Sequence, residues 1–319
     1  MITLVYISNR REPRIRWFLE SLKSPPQTAD FGQPYKLVFV DFYRNERAPE
    51  FLQLLSDHQV KHVDPMPNVW CGPFRLAQAD FFAAAAFRNT GLCYAEDGYI
   101  GWIDDLSVLL PTWVEAARDS MAIGYVALGS YRKVRELVVK DGRIQSFVAP
   151  TAKRTLPDGR EEEFCIGDDT RLRQVTQDVT PCDGGWLYGC SLFGPVESFL
   201  KVNGWPEWCD SMGHEDCVLG KTLRNAGVDL RYCRKMQTLE SEEDHWQEGN
   251  FKKYDKGPPG TNQDKSHKAI AMGERCTYYY TQQNIRELRQ KILSGQPFPT
   301  TGLLPTHDWF DSQPVSEFK

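Results

Sequence analysis

An α/β chain, a Rossmann-like mixed sheet flanked by helices, is the fold class this sequence predicts, and three observations predict it. The first 63 residues alternate apolar strand-like runs (2–7, 36–40, 60–63) with short helical stretches. The strands end in polar or acidic residues, Ser8-Asn9-Arg10 after the first and Asp41 after the second. Further on, the apolar run 99–103 stops at two adjacent carboxylates, Asp104 and Asp105. Near-continuous apolar strands are those covered on both faces, and ligands of such sheets bind beyond the carboxyl ends of the strands. Adjacent acids at the edge of a buried strand repel each other and lose hydration, a cost that a cation or bound ligand offsets.

The elements follow in order. Trp17, Phe18, Leu19 and Leu22 predict a helix that stops before Pro25-Pro26. Residues 51–55 read as a short helix. Residues 76–95, rich in Ala and Phe, predict a buried helix carrying Arg88-Asn89 near its end, and another begins near Thr112. Residues 123–180 change character. An Asp141-Gly142 turn between apolar runs signals a hairpin, and charged residues crowd the segment, which predicts an inserted β-rich excursion. An apolar strand is expected over 187–193. A helix over 195–202 closes at Asn203-Gly204, and another runs from His214-Glu215-Asp216 to Asn225. A strand over 228–232 precedes a polar loop reaching residue 268, and a charged helix is expected over 270–293 before a Pro-rich tail. The predicted organisation is a single domain over 1–265, with the excursion at 123–180, and a C-terminal helix and irregular tail over 266–319.

Bulk properties narrow the function. The 319 residues suffice for a substantial core, and 41% hydrophobic with 25% charged is ordinary for a globular protein. A formal net charge of -5 argues against a generally basic nucleic-acid binder. Nine cysteines, odd in number and without a Cys-x-x-Cys pair, read as reduced and buried. The longest apolar run, 81–87, is far too short to cross a bilayer, and the chain starts directly in a strand, so a cytoplasmic protein is expected. His58 and His62 have a metal-like spacing but lack a placed third ligand and read as surface residues.

Four motifs then fall in one order: Asn9-Arg10, Asp41, Arg88-Asn89-Thr-Gly leading to Tyr99-Ile-Gly-Trp-Ile-Asp104-Asp105, and Gly184-Gly185 followed by Asn203-Gly204-Trp205 and His214-Glu215-Asp216. In this the chain resembles the GT-A nucleotide-sugar glycosyltransferases, chiefly the inverting family 2 enzymes, and its later half looks like the β-1,4-galactosyltransferases. The resemblance covers residues 1 to about 265 and implies an inverting transfer of a sugar from a nucleotide-diphosphate donor, a UDP-sugar by expectation. It implies that Ser8, Asn9, Arg10, Asp41, Arg88, Asn89, Asp104, Gly185 and Trp186 bind the donor, Asp41 through the nucleobase. It implies that Asp104, Asp105 and His245 hold Mn²⁺ or Mg²⁺, that Asp216 is the general base and that Glu215 orients the acceptor. One departure stands out: Leu106 occupies the place of the second motif acid, so Asp104 and Asp105 must serve instead.

Each of these residues also has a plainer reading. Asp41 and the Asp104-Asp105 pair can cap strand ends, Arg88 can lie on a helix surface, and Glu215-Asp216 can complement a helix dipole. Trp186 and Trp205 either stack on a sugar or pack in the core. The expected acceptor is a glycan or lipid-linked sugar. A hydroxymethylated base in DNA is the second acceptor class, with Arg132 to Arg143, Lys153-Arg154, Arg171 and Arg173 as phosphate contacts. A non-catalytic module that binds a sugar nucleotide or glycan is the competing class.

Overall fold

The computed structural model describes residues 1–23, 30–68, 70, 82–156, 158–211, 213–241 and 283–299. The strands are β1 (Ile2–Ser8), β2 (Tyr35–Asp41), β3 (Val60–Val63), β4 (Tyr99–Asp104), β5 (Ser107–Leu109), β6 (Val126–Lys140), β7 (Arg143–Val148), β8 (Thr151–Thr155), β9 (Glu161–Cys165), β10 (Val179–Pro181), β11 (Ser191–Pro195) and β12 (Leu230–Ser241). The helices are α1 (Ile15–Lys23), α2 (Pro49–Asp57), α3 (Ala84–Tyr94), α4 (Trp113–Ile123), α5 (Arg171–Gln174), α6 (Val196–Leu200), α7 (Glu215–Asn225) and α8 (Ile285–Leu293).

One mixed sheet carries the fold, in the order β10-β12-β6-β11-β4-β1-β2-β3, with β5 paired to β12 and β7 to β6. β1 pairs in parallel with both β2 and β4, and β2 with β3. β11 is antiparallel to both β4 and β6, whereas β12 runs parallel to β6. The carboxyl ends of β1, β2, β4, β6 and β12 therefore share one edge, together with the start of β11. The strand order reverses between β1 and β4, so Ser8 and Asp104 flank a topological switch point.

Alternation within the strands explains why they read as continuous apolar runs. Val5, Ile7, Val38, Val40, Ile100 and Trp102 face a core built with α3, α6, α7 and α8. Ile2, Leu4, Tyr6, Leu37, Phe39 and Ile103 face the opposite core, against α1, α2 and α4. Both faces are buried, as a sheet of helix-connected parallel strands requires. The mixed α/β class is as the sequence predicts.

Several elements differ from expectation. Residues 126–134 are not part of an excursion: β6 is a central strand held by β11 and β12 before it continues into the β6–β7 hairpin. The strand expected over 187–193 begins only at Ser191, because Gly184–Trp186 forms a 3₁₀ turn. β12 runs on to Ser241, beyond the expected end, through an irregularity between Cys233 and Gln237. His62 is on β3, not at the surface; its ring stacks on Phe39 at 5.2 Å. The seven described cysteines are free thiols. Among the described residues no helix is long and apolar enough to cross a membrane.

Candidate active site

The switch point brings the ends of β1 and β4 together. The Ser8 hydroxyl donates to Asp105 Oδ2 at 2.6 Å, and Arg10 Nε lies 2.9 Å from the same oxygen. The Arg10 backbone N–H donates to Ser8 Oγ at 3.0 Å, which turns the loop back over the strand end. After Asp105 the chain reverses at Leu106, whose φ of 59° is in the left-handed region. Its N–H donates to the Tyr6 hydroxyl at 2.9 Å, and that hydroxyl donates to the Pro13 carbonyl at 2.6 Å. Burial, then the charge of Asp105, push the Tyr6 hydroxyl well above its ordinary pKa, which keeps it a neutral donor. Leu106 itself is buried and its carbonyl accepts from Ser241 N–H at 3.0 Å. The position that lacks the second motif acid is thus turned into the protein, where an acid would be desolvated.

Arg88, from the middle of α3, is the hub of the site. It is 4% exposed. Nη2 donates to Asp104 Oδ1 at 2.9 Å, Nη1 donates to Glu215 Oε1 at 3.2 Å, and Nη1 lies 3.6 Å from Asp216 Oδ1. Burial disfavours the guanidinium charge, but Asp104, Asp216 and Glu215 outweigh it and raise the pKa. The Trp205 ring lies below the cation at 4.5 Å. The surface-helix reading of Arg88 therefore does not hold, because α3 faces the sheet here.

Glu215 and Asp216 open α7, so the positive end of the helix dipole meets both carboxylates. Asp216 Oδ2 accepts from the Gly189 N–H at 3.2 Å, and Oδ1 accepts no hydrogen bond among the described residues. Burial first, then Glu215, push the Asp216 carboxyl up to about 7, with Arg88 and the Gly189 N–H acting against the rise. The side chain is 24% exposed, although Oδ1 itself is buried.

Backbone packing fixes this geometry. A Cβ on Gly189 would lie 2.4 Å from Arg88 Nη2, so only glycine lets the cation sit there. A Cβ on Gly220, within α7, would lie 1.9 Å from the Gly184 carbonyl oxygen. The helix that carries Asp216 and the 3₁₀ turn that precedes Gly189 touch backbone to backbone.

Asp41 is fully buried and differs from the expected base contact. Arg47 grips it with Nε at 2.7 Å and Nη2 at 2.6 Å, Tyr43 N–H donates at 3.0 Å, and His62 Nε2 lies 2.8 Å away. Four contacts from three residues fill a carboxylate that offers about four acceptor sites. Arg47 continues to the carbonyls of Arg10 (2.8 Å) and Arg11, so Asp41 underpins the loop after β1.

Asn89 is likewise fully buried. Its amide donates to the Trp205 carbonyl (2.9 Å) and Glu207 (2.7 Å) and accepts from Trp205 N–H (2.7 Å), clamping the 203–207 loop to α3. Asn9 is buried at the strand end. Trp205 is a core residue against Trp102, at 5.6 Å between centroids. Trp186 is half-buried and meets Tyr232 edge-on, and Gly185 N–H donates to Asp183 at 2.7 Å. His245, the expected third metal ligand, lies outside the described residues. Among the described residues no group of three His, Cys, Asp or Glu side chains is arranged to hold a metal. Asp104 and Asp105 do not complete a metal site between them, and each already faces a guanidinium.

Sequence reasoning missed Arg47, Gly189 and Asp169. Arg171, expected at a phosphate, is only 3% exposed. Gly189 acts on Arg88 and Asp216, and Arg171 on Gly129 and Trp186, partners that lie far away in sequence.

No family model and no curated protein matches the chain. Solved structures with a similar course exist. TarS 1–349 of S. aureus in complex with UDP-GlcNAc aligns with a TM-score of 0.46 and 14% identity, over 86% of this chain and 71% of that one. Against the longer TarS structure the chain spans 42% of that protein, with a TM-score of 0.44. GalNAc-T7 with UDP, GalNAc and Mn²⁺ aligns with a TM-score of 0.48 and 11% identity, over 94% of this chain and 59% of that one. Likeness at this level carries no residue correspondence, and the functional reading rests on the site itself.

Proposed function

We propose that the chain is a GT-A type glycosyltransferase that moves a sugar from a nucleotide-diphosphate donor, a UDP-sugar, to an acceptor hydroxyl with inversion. The observation that carries this reading is the convergence of Asp104, Glu215 and Asp216 on one buried cation, Arg88, at the switch point of the sheet. The donor would lie across the ends of β1 and β4, where Ser8, Arg10 and Asp105 form the wall and Asp41 supports it from behind. Asp216 takes the proton from the acceptor hydroxyl, and the oxygen attacks the anomeric carbon. The bond to the diphosphate breaks on the opposite face, and the nucleotide diphosphate leaves. One base and one displacement invert the configuration. Glu215, beside it at the helix start, orients the acceptor.

A Mn²⁺ or Mg²⁺ ion, when bound, supplies Lewis acidity toward the diphosphate. Asp104 and Asp105 are the described carboxylates nearest to that task, with His245 as the further ligand expected from the resemblance. No step here is routed through the ion.

The acceptor we favour is a glycan or lipid-linked sugar. The DNA reading loses support, since Arg171 is buried and Arg132 is paired with Asp168 at 2.6 Å. The test is UDP release and product formation from a panel of UDP-sugars, with and without Mn²⁺, for the wild-type chain and Asp216→Asn. Release that depends on Asp216 supports the proposal. Tight UDP-sugar binding without release identifies a binding module, and neither binding nor release overturns the donor assignment.

A further inference from the structure

We propose that Arg171 is a positioning residue, a buried clamp that holds the 186–189 loop so that the Gly189 N–H stays on Asp216. The proposal rests on the reading of Asp216 as the base, but the clamp has a readout of its own. Asp169, fully buried, receives Arg171 through Nε (2.8 Å) and Nη2 (2.7 Å), and it also accepts from the Tyr232 hydroxyl at 3.2 Å. The remaining donors reach across to two elements. Nη2 donates to the Gly129 carbonyl of β6 at 2.8 Å, and Nη1 donates to the Trp186 carbonyl. The guanidinium lies against the rings of Tyr188, at 4.4 Å, and Tyr232, at 4.6 Å. Tyr188 in turn meets Tyr131 edge-on at 5.7 Å.

One side chain therefore holds the loop at two points, the carbonyl of Trp186 and the ring of Tyr188. The next residue is Gly189. Its N–H meets Asp216 Oδ2 at 3.2 Å, and its bare Cα makes room for Arg88. A loop free to move at residues 186–188 would shift both the donor on the base and the wall against the cation. Arg171 cannot touch substrate, since it is buried under Tyr188 and Tyr232. A lysine cannot replace it, because a single ammonium lacks the planar fork that spans Asp169, Gly129 and Trp186 at once.

The experiment compares the full-length wild type with Arg171→Lys, Tyr188→Leu and Tyr188→Phe, each checked for folding by circular dichroism. Two quantities are read: the kcat and donor KM, and the exchange rate of the Gly189 amide proton in ¹⁵N-glycine-labelled protein. Arg171→Lys and Tyr188→Leu are expected to lower kcat about tenfold or more with donor KM within about twofold, and to speed Gly189 exchange. Tyr188→Phe keeps the stacked ring and should match wild type in both. Folded Arg171→Lys and Tyr188→Leu proteins with wild-type kcat and Gly189 exchange would overturn the proposal, as would equal losses in Tyr188→Phe. If Arg171→Lys does not fold, the Tyr188 pair alone decides. If the wild type turns over no UDP-sugar, the glycosyltransferase reading has failed, and the Gly189 exchange arm still tests the clamp.

Discussion

Gly189 sits so close to Arg88 that a methyl group on its Cα would lie 2.4 Å from Nη2 and 2.5 Å from Cζ. The guanidinium cannot retreat, because Trp205 stacks beneath it and three carboxylates fix its edges. Gly189→Ala is therefore expected to displace Arg88 and break its pairing with Asp104. Activity should fall by about two orders of magnitude. Overpacking should also cost about 1–3 kcal/mol of stability. Steady-state kinetics alongside thermal unfolding of the purified variant checks both.

Asp216→Asn removes the proton acceptor while keeping the shape. A loss of about 10²–10⁴ in kcat is expected. In the wild type, kcat/KM should rise with pH through about 7 and then level, since the base must be ionised to work. A profile that is flat from pH 5 to 9, measured with the preferred donor, would remove Asp216 from that role.

The same residue makes a stability prediction of fixed sign. Its folded value of about 7 stands above the ordinary 3.8, so the folded state holds the proton more tightly than the unfolded chain. That contribution is fully present below about pH 3.8 and is lost as pH rises through about 7. Asp216→Asn has no proton to lose. Its melting temperature should exceed that of wild type at pH 8, and the gap should narrow toward pH 5.

Glu207 gives a second pH signature away from the chemistry. It is buried against Asn89 at 2.7 Å, and burial pushes its carboxyl up to about 8, with Asp210 adding to the rise and Asn89 opposing it. At pH 7 it is a neutral acid, so Glu207→Gln should fold and turn over as wild type does. Wild-type stability should fall as pH rises through about 8, and the Gln variant should show a flatter curve by denaturant titration.

Asn89→Ala tests the clamp between α3 and the 203–207 loop. It would leave the Trp205 N–H, the Trp205 carbonyl and Glu207 short of a buried partner, at about 1–3 kcal/mol each. The expected result is a sharp drop in the yield of folded protein, read by size-exclusion chromatography and thermal unfolding.

The sequence announces what is local. Apolar runs closed by polar residues located β1, β2 and β4, and the acids at Asp104, Asp105, Glu215 and Asp216 stood out because strand ends and helix starts display them. Arg88 stands in a motif with Asp104, but its pairing with Glu215, 127 positions away, has no local signal. Asp41 and Asn89 show the opposite case. Both matched a ligand-binding pattern, yet burial gives their polar atoms to Arg47, His62, Trp205 and Glu207. Spacing can place a polar residue near a site, but only the packed neighbours decide whether it faces ligand or protein. The early part of the supposed excursion misled for a related reason. Charged residues beyond Tyr131 obscured the apolar stretch Val126–Leu128, which sits in the middle of the sheet.

The contact between Gly184 and Gly220 has a mechanical consequence. With no side chain between them, α7 and the 3₁₀ turn meet backbone to backbone, and five residues after Gly184 the chain supplies the N–H that holds Asp216. Asp216 and the chain leading to its N–H donor therefore start from elements packed backbone to backbone. On the proposed reading of Asp216 as the base, a side chain on either glycine would push apart the helix that carries the proton acceptor and the turn that leads to its N–H donor.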